Sequence, residues 1–376
     1  MSFNYPVYMP YMKGNEKKYV NECLDSTWIS SKGKYIELFE HSFSEYLGVK
    51  YACSVNNGTT ALHMALLALD IKPGDEIIVP TFTYIASVNA ISYMGAVPVF
   101  VDSIKETWQI DPEDVKRKIT AKTKAVIIVH LYGHPCDMDA IVPLCKDNNI
   151  LLVEDCAEAI GSYYKGKHVG CFGDIATFSF FGNKTITTGE GGMVVSNNEN
   201  LITRSHHIKN QGVTSIQYWH DIIGYNYRMT NICAAIGLAQ LEQIEHILQL
   251  KKTIAETYRK AFLNTDIEFL YENDVVVNSF WMCSCLIKSA NQRDQLRDFL
   301  QQQGIETRPL FYPVHSMPIY NYLTSEDFPI ANNLSTRGIN LPSYPGLTEE
   351  DVYVIANKII QFVNCNEYAV GSYNYV

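Results

Sequence analysis

The sequence has little positive charge, no long apolar run and no paired-cysteine motif. Its 376 residues include 30 Lys and Arg against 40 Asp and Glu, which gives a net charge of -10. No block of Lys or Arg supplies the basic patch that nucleic-acid binding requires. No apolar run approaches the roughly 20 residues that span a bilayer, and residues 1–18 are too polar for a signal peptide. We therefore predict a soluble, cytoplasmic protein that binds neither nucleic acid nor membrane.

The ten cysteines are scattered along the chain, and no two of them are spaced as CxxC. In such a chain we expect them to be reduced and packed as small apolar side chains. His130, His134 and Cys136 lie close together in sequence, but their spacing matches no standard zinc pattern. We predict no metal site.

Short apolar runs alternate with stretches of helical periodicity in the first half of the chain. Residues 59–69 predict a helix, and four runs predict buried strands at 76–79, 97–101, 125–130 and 150–153. Another strand is predicted within 189–196. This alternation is typical of an α/β protein, in which helices cover both faces of a mostly parallel sheet.

The pattern of predicted helices and strands changes near residue 244. A long helix is predicted over 230–249 and continues as a polar helical stretch to 262, and a strand at 279–287 and a helix at 291–303 follow. We predict a large domain over 1–243, which includes an N-terminal segment, and a smaller α+β domain over 244–376. Residues 366–376 are predicted to form a loose tail.

Three clusters of polar residues follow predicted strands, where ligands of parallel sheets bind. Residues 56–62 open a helix whose free N–H groups suit a phosphate, although for this motif alone a simple helix cap is the commoner explanation. Glu154 and Asp155 follow a strand, as a helix cap or as functional acids. Lys184 lies between an aromatic-rich strand and a glycine-rich segment, where burial would lower its pKa; an exposed loop lysine is the alternative.

The three clusters together favour one chemistry over three unrelated explanations. Pyridoxal 5'-phosphate (PLP) requires a phosphate site, an acid for its pyridine nitrogen and a lysine that forms an imine. The sequence offers these three features in one predicted sheet. We therefore predict a PLP site in the large domain.

Long ordered motifs resemble the DegT/DnrJ/EryC1/StrS sugar aminotransferases over nearly the whole chain, from Pro10 to about Phe362. The motifs that carry this resemblance are NNGTTALHMAL (56–66), PTFTYIASVNAI (80–91), VEDCAEAIGS (153–162), GCFGDIATFSFFGNKTITTGEGG (170–192), GYNYRMTNICAAIGLAQL (224–241), IETRPLFYPVH (305–315) and INLPSYP (339–345). The resemblance implies the fold-type I, aspartate aminotransferase-like architecture. That architecture has a large domain with a mostly parallel seven-stranded sheet and a smaller C-terminal α+β domain.

The resemblance also implies roles for individual residues. Lys184 matches the catalytic Schiff-base lysine, and Asp155 matches the carboxylate that pairs with the pyridine nitrogen. Tyr84 matches the aromatic residue that stacks on the cofactor, and Glu158 stands beside the ring where many relatives have Gln or His. The residues implied to bind the phosphate are Gly58, Thr59, Thr60 and Ser179.

Three further residues are implied to act at subunit or substrate contacts. Asn226 matches an asparagine that reaches the phosphate of the neighbouring subunit, which implies a homodimer with shared active sites. Arg308 and His315 lie in the segment that helps to bind the sugar nucleotide in the family.

The activity implied is ping-pong transamination from L-glutamate to C4 of a nucleotide-linked 4-keto-6-deoxyhexose, with pyridoxamine phosphate (PMP) as the intermediate form of the cofactor. We favour the GDP-linked manno sugar over the UDP- or dTDP-linked gluco sugar, which uses the same catalytic residues. Relatives that act as sugar dehydratases replace the lysine with histidine, whereas this chain keeps Lys184. A non-catalytic, PLP-binding regulator is the alternative of another class.

Overall fold

A seven-stranded sheet forms the centre of the computed structural model, which describes residues 3–270 and 272–371, the last seven of them by backbone alone. Its strands are β1 (Tyr51–Val55), β2 (Glu76–Pro80), β3 (Val97–Val101), β4 (Thr123–Val129), β5 (Leu151–Asp155), β8 (Ile175–Ser179) and β9 (Gly192–Ser196). They lie in the order β1-β9-β8-β5-β4-β2-β3. Only β9 within this sheet runs against its neighbours, and the remaining pairings are parallel. The predicted α/β class and mostly parallel sheet are confirmed.

Both faces of this sheet are buried. Ile77 and Val79 contribute to one apolar cluster, whereas Ile78 between them contributes to another, because successive strand residues point to opposite faces. The covering helices are α1 (Glu16–Ser26), α2 (Lys34–Leu47), α3 (Gly58–Ala68), α4 (Ala86–Tyr93), α5 (Pro112–Lys118), α6 (Met138–Asp147), α7 (Glu199–Lys209) and α8 (Asn231–Leu241). Parallel strands need such crossover helices to connect them.

The long helix predicted over 230–249 is interrupted in the structure. Helix α8 ends at Leu241, and α9 (Ile244–Ala261) begins after a tight turn. In this turn the Gln243 N–H donates to the Gln240 carbonyl oxygen at 3.1 Å. Leu241, Ile244 and Ile247 keep helical spacing across the turn, which concealed this break in the sequence. The break coincides with the predicted domain boundary at 243/244, which itself stays a prediction.

The C-terminal part has its own sheet and its own apolar core. The four antiparallel strands lie in the order β10 (Glu268–Phe269), β12 (Cys283–Leu286), β14 (Gly338–Leu341) and β13 (Arg308–Pro309). Helices α9, α10 (Ala290–Gln302), α11 (Pro329–Arg337) and α12 (Glu349–Gly371) accompany it. The core includes Tyr258, Cys283, Cys285, Leu296 and Ile359. This sheet and these helices form the α+β arrangement expected from the sequence.

Smaller elements complete the chain. A three-stranded sheet joins β6 (Tyr163–Tyr164), β7 (Lys167–His168) and β11 (Val276–Val277). Helix α12 continues to Gly371, into the segment predicted as a tail, while 372–376 lie outside the described residues. In the part of the chain that the structure describes, no helix combines the length and apolar character needed to cross a membrane.

Candidate active site

The amine of Lys184 lies in a buried pocket beside the carboxyl end of the main sheet. Its Nζ is 3.8 Å from Glu158 Oε1 and 4.0 Å from the centroid of the Trp281 ring. Burial lowers the pKa of Lys184, while the charges of Glu158 and Asp155 oppose this effect. A lowered pKa increases the neutral fraction of the amine, which is the form that attacks a carbonyl.

The loop that carries Lys184 is fixed from three sides. The Lys184 N–H donates to the Phe181 carbonyl at 2.9 Å, and the Trp281 indole N–H donates to the Asn183 carbonyl at 2.8 Å. The Tyr8 hydroxyl donates to the carbonyl oxygen of Lys184 itself. These contacts restrict the backbone, so that mainly the side chain of Lys184 is left to move.

Asp155 is the last residue of β5 and is buried. Its Oδ2 accepts a hydrogen bond from the Ser87 hydroxyl at 2.7 Å, and its Oδ1 accepts one from the Ala157 N–H at 3.0 Å. Burial raises the pKa of Asp155, and the two hydrogen bonds reduce this shift without cancelling it. A buried carboxylate with few donors is suited to bind a cationic partner such as a protonated pyridine nitrogen.

Glu154, the preceding residue, points to the other face and is fully hydrogen-bonded. Its two oxygens accept the backbone N–H groups of Gly170, Phe172 and Gly173, each at 2.7 Å, and His130 Nε2 lies 3.1 Å away. Burial raises the pKa of Glu154, but the bond from His130 and the backbone bonds outweigh it and leave the pKa lowered. This carboxylate therefore joins the loop at 170–173 to the sheet.

The same contacts bear on the only fully buried group of possible metal ligands in the described residues, His130, Glu154 and Cys156. His130 Nδ1 accepts the Cys136 N–H at 3.0 Å, and its Nε2 faces Glu154. Both ring nitrogens are thus engaged in hydrogen bonds. The arrangement is a structural network that stabilises the ends of β4 and β5.

Glu158 connects Lys184 to the turn at residue 132. Its Oε1 faces the Lys184 amine, and its Oε2 accepts the Tyr132 N–H at 2.8 Å. Burial raises the pKa of Glu158, and the charge of Lys184 opposes the shift. The structure thus brings Glu158 next to Lys184, and its proposed place beside a cofactor ring stays a prediction.

The N-terminus of α3 lies against the end of β8. A Cβ added to Gly58 would be 2.7 Å from Ser179 Cβ and 2.9 Å from its Oγ, so only glycine permits this approach. The first N–H groups of a helix have no partner within the helix, which makes Gly58, Thr59 and Ser179 a suitable cradle for a phosphate.

Thr60 differs from these three residues because its polar groups are already engaged. Its N–H donates to Asn57 Oδ1 at 2.9 Å, and its hydroxyl donates to Asn56 Oδ1 at 2.7 Å. These bonds form the N-terminal capping box of α3. The helix-cap explanation and the phosphate-site explanation of this motif are therefore compatible, while a direct contact from Thr60 stays a prediction.

Tyr84 and His315 connect the same two segments of the chain, Tyr84 through the Phe311 ring and His315 through the loop at Thr81. The Tyr84 side chain is 57% exposed, and its ring is 5.7 Å from that of Phe311. His315 Nδ1 is 2.7 Å from the Thr81 hydroxyl, on the same loop as Tyr84. An exposed aromatic ring of this kind is suited to stack on a planar ligand.

Arg308 and Asn226 are less closely connected to this pocket. Arg308 forms an ion pair with Glu306, with 3.6 Å between Nη2 and Oε1. Asn226 is exposed, and its Oδ1 accepts the Arg228 Nε–H at 3.0 Å. Their roles in sugar binding and in the neighbouring subunit stay predictions.

Two residues that contribute to the site were missed from the sequence, Trp281 and Tyr132. Trp281 lies in the segment predicted as a strand, so its pattern indicated only a core residue. Tyr132 is fully buried, and its ring stacks at 6.1 Å on Trp281. The signals available in the sequence were the indole N–H of Trp281 and the phenol O–H of Tyr132, because these groups usually have a hydrogen-bond partner when the residue is buried.

The residues of the pocket fit PLP by their chemistry and by their spare hydrogen-bonding capacity. A buried amine, a buried carboxylate and a helix N-terminus lie at one edge of the sheet. Asn183 Oδ1 and Thr185 Oγ1, which flank Lys184, are buried without a hydrogen-bond partner in the described chain. Orphaned polar atoms of this kind indicate a site that a bound group completes.

Comparisons with known proteins agree with this geometry. The chain matches the DegT/DnrJ/EryC1/StrS aminotransferase family over residues 10–360. It is 60% identical to a GDP-perosamine synthase from Escherichia coli O157:H7, over 95% of this chain and 98% of that protein. It is 52% identical to a GDP-perosamine synthase from Vibrio cholerae, over 96% of this chain and 99% of that protein.

A solved structure supports the fold and the cofactor. The PLP form of Spr1654 from Streptococcus pneumoniae, described as a sugar aminotransferase, superposes with a TM-score of 0.92 at 29% identity, over 96% of this chain and 99% of that chain. That protein has also been solved in a PMP form. The predicted fold, the PLP cofactor and the aminotransferase activity are thereby confirmed. The chain belongs to the DegT/DnrJ/EryC1/StrS aminotransferase family.

Proposed function

We propose that this protein transfers the amino group of L-glutamate to C4 of GDP-4-keto-6-deoxy-D-mannose, which gives GDP-perosamine. The observation that carries the transaminase chemistry is the buried Lys184 amine, 3.8 Å from Glu158 and next to the Trp281 ring. The sugar nucleotide is inferred from the printed names of the E. coli and V. cholerae relatives. The cytoplasmic location stays a prediction.

Each residue of the pocket has a definite task in this proposal. Bound PLP would supply an electron sink for the bond broken at the reacting carbon. Asp155 keeps the pyridine nitrogen protonated, and the N-terminus of α3 holds the phosphate. The Lys184 amine would move a proton from the α-carbon of glutamate to C4′ of the cofactor, and in the second half-reaction it would move a proton from C4′ to C4 of the sugar.

We also propose that two copies of the chain form a homodimer with shared active sites. A stretch of exposed apolar side chains supports this proposal. Its members are Ile216 (64% exposed), Tyr218 (83%), Trp219 (64%), Ile222 (42%) and Ile223 (93%). Exposed apolar side chains concentrated in one segment are typical of contact sites, and this stretch directly precedes the segment of Asn226.

The proposed function is tested by following the absorbance of the bound cofactor. Purified, PLP-loaded protein is mixed with L-glutamate, and the loss of the long-wavelength band is recorded. GDP-4-keto-6-deoxy-D-mannose, UDP-4-keto-6-deoxy-D-glucose and its dTDP analogue are then added in parallel. We expect glutamate to remove the band and the GDP sugar alone to restore it, with an amino sugar nucleotide detected by mass spectrometry.

Two variants control this experiment. Lys184→Ala should show no reaction with glutamate, whereas Lys165→Ala, which removes a surface lysine paired with Asp139, should react as the unmodified protein does. Restoration of the band by the UDP or dTDP sugar would replace the proposed substrate. An unchanged band with glutamate would contradict this donor and favour the non-catalytic, PLP-binding alternative.

A further inference from the structure

Tyr132 has an unusual backbone conformation for a fully buried residue. Its φ is 55° and its ψ is 21°, which is the left-handed region that side chains other than glycine seldom adopt. Gly133 follows with a φ of 89°, and a Cβ added there would lie 2.7 Å from Asn278 Oδ1 and from Ser279 Oγ. Such a conformation persists only where the surroundings hold it, and it is concentrated at functional sites.

The two polar ends of Tyr132 contact two different parts of the site. Its N–H donates to Glu158 Oε2 at 2.8 Å. Its hydroxyl accepts the N–H of Phe311 at 3.0 Å. The left-handed turn thus directs the backbone N–H towards one carboxylate while the side chain spans the core to another segment.

The ring of Tyr132 forms a cluster with two other aromatic rings, Trp281 and Phe311, whose own centroids lie 6.4 Å apart. The Trp281 ring is 6.1 Å away with an interplanar angle of 7°, and the Phe311 ring is 5.4 Å away at 19°. Trp281 also lies beneath the Lys184 amine, and Phe311 contacts Tyr84. The cluster therefore connects the reactive lysine to the exposed Tyr84 ring.

Phe311 lies within 308–315, the segment that contains Arg308 and His315. Among the residues that the structure describes, neither Arg308 nor His315 forms a hydrogen bond or ion pair with Lys184. Arg308 forms an ion pair with Glu306, and His315 is hydrogen-bonded to Thr81. The Tyr132 hydroxyl is thus a direct polar link between the lysine side of the site and this segment.

We propose that Tyr132 is a positioning residue that holds segment 308–315 in register with Glu158 and Lys184, so that the acceptor sugar is presented correctly to the lysine. This inference rests on the proposed function, because it assigns acceptor binding to segment 308–315. The backbone N–H of Tyr132 serves the lysine side through Glu158. The hydroxyl serves the acceptor side through Phe311, and a substitution can remove the hydroxyl alone.

Tyr132→Phe separates the two contacts, because it removes the hydroxyl and keeps the N–H and the ring. One buried hydrogen bond contributes about fivefold to an equilibrium. We therefore expect the KM for the acceptor sugar to rise about fivefold, while the rate of the glutamate half-reaction stays the same. Amide hydrogen exchange in a peptide that covers Phe311 should accelerate in the absence of sugar.

Tyr258→Phe is the matched control, since it removes the hydroxyl of another fully buried tyrosine, which donates to the Pro342 carbonyl at 3.0 Å. It tests whether loss of any buried tyrosine hydroxyl produces the same kinetic change. We expect it to leave the KM for the sugar and exchange at Phe311 unchanged.

The outcomes distinguish this inference from the proposed function. If the unmodified protein accepts amino groups from glutamate but no tested sugar restores its absorbance, the proposed function fails, and Tyr132 is then judged from amide exchange and the glutamate half-reaction. Unchanged exchange at Phe311, equal losses in both half-reactions, or identical effects of Tyr132→Phe and Tyr258→Phe would overturn the inference.

Discussion

Glu154 and Asp155 are adjacent carboxylates on one strand, yet the two faces of the sheet treat them differently. On the Glu154 face, three backbone N–H groups and His130 surround the carboxylate, and its pKa is lowered. On the Asp155 face, two donors contact the carboxylate, and burial leaves its pKa raised. The first carboxylate has its hydrogen bonds satisfied by its own chain, whereas the second has spare capacity for a ligand.

This difference shows how a structural acid can be told from a functional one when the sequence cannot separate them. Both residues are buried and lie next to each other at the end of the same strand. The number of hydrogen bonds that the chain itself supplies decides the matter, because an unsatisfied buried charge requires an external partner. A functional carboxylate is therefore identified by the hydrogen bonds that its own chain does not supply. The following substitutions test this assignment.

Asp155→Asn should give the largest effect on activity and a small effect on stability. The amide preserves the shape but removes the charge that pairs with the protonated pyridine nitrogen. Loss of such an electrostatic contact lowers kcat on the order of 10²- to 10³-fold, which is measured in the glutamate half-reaction. The free energy of unfolding should change by only about 1 kcal/mol. A fully active Asp155→Asn protein would contradict the functional role that distinguishes Asp155 from Glu154.

Glu154→Gln should show the opposite pattern. An amide nitrogen cannot accept the N–H groups that one of the two oxygens now receives, so buried donors lose their partner. We expect the free energy of unfolding to fall by about 1–3 kcal/mol for each group left unsatisfied, as measured by denaturant titration. The kcat of the folded fraction should be unchanged. A stable but inactive Glu154→Gln protein would reverse the two assignments.

The fold was largely predictable because its main signal is local. Apolar runs of strand length, separated by helical periods, predicted β2 to β5 and α3 close to their observed bounds. The break between α8 and α9 was not predictable in this way, because the apolar periodicity continues across residues 242 and 243. The turn there depends on where the C-terminal part packs, which is a tertiary effect.

The candidate site was predictable where ordered motifs carried it and less so where it depends on contacts between distant segments. Lys184 and Asp155 follow strands, so the sequence indicated their place at one edge of the sheet. Trp281 and Tyr132 contribute through stacking between residues 149 positions apart in the sequence, which no periodicity reveals. The hydrogen bonds that fully occupy the Glu154 carboxylate likewise come from backbone N–H groups of a separate loop.

Gly58→Ala sharpens the comparison at the phosphate end of the Asp155 face. The added Cβ would be 2.7 Å from Ser179 Cβ, so the N-terminus of α3 must move away from β8 and the phosphate cradle widens. We expect the Kd of the apoprotein for PLP to rise on the order of tenfold, as measured by absorbance titration. Gly182→Ala is the control, since its added Cβ meets only the Gly189 carbonyl oxygen at 4.0 Å, and it should bind PLP normally.

Glu158→Gln should give the smallest effect, a displacement of a pH profile. The Glu158 carboxylate stabilises the charged form of Lys184, so its removal lowers the pKa of Lys184 further. The rate at which apoprotein combines with PLP rises with pH as the amine loses its proton, and the midpoint of this rise should move to lower pH in the variant. Because burial raises the pKa of Glu158, the two profiles should converge at pH values below that pKa, where the carboxyl group is neutral. Asp139→Asn, which alters the partner of surface Lys165, should leave the profile unchanged. A midpoint that stays constant or moves to higher pH would show that Glu158 does not set the charge of Lys184. The functional role assigned to this face of the sheet would then rest on Asp155 alone.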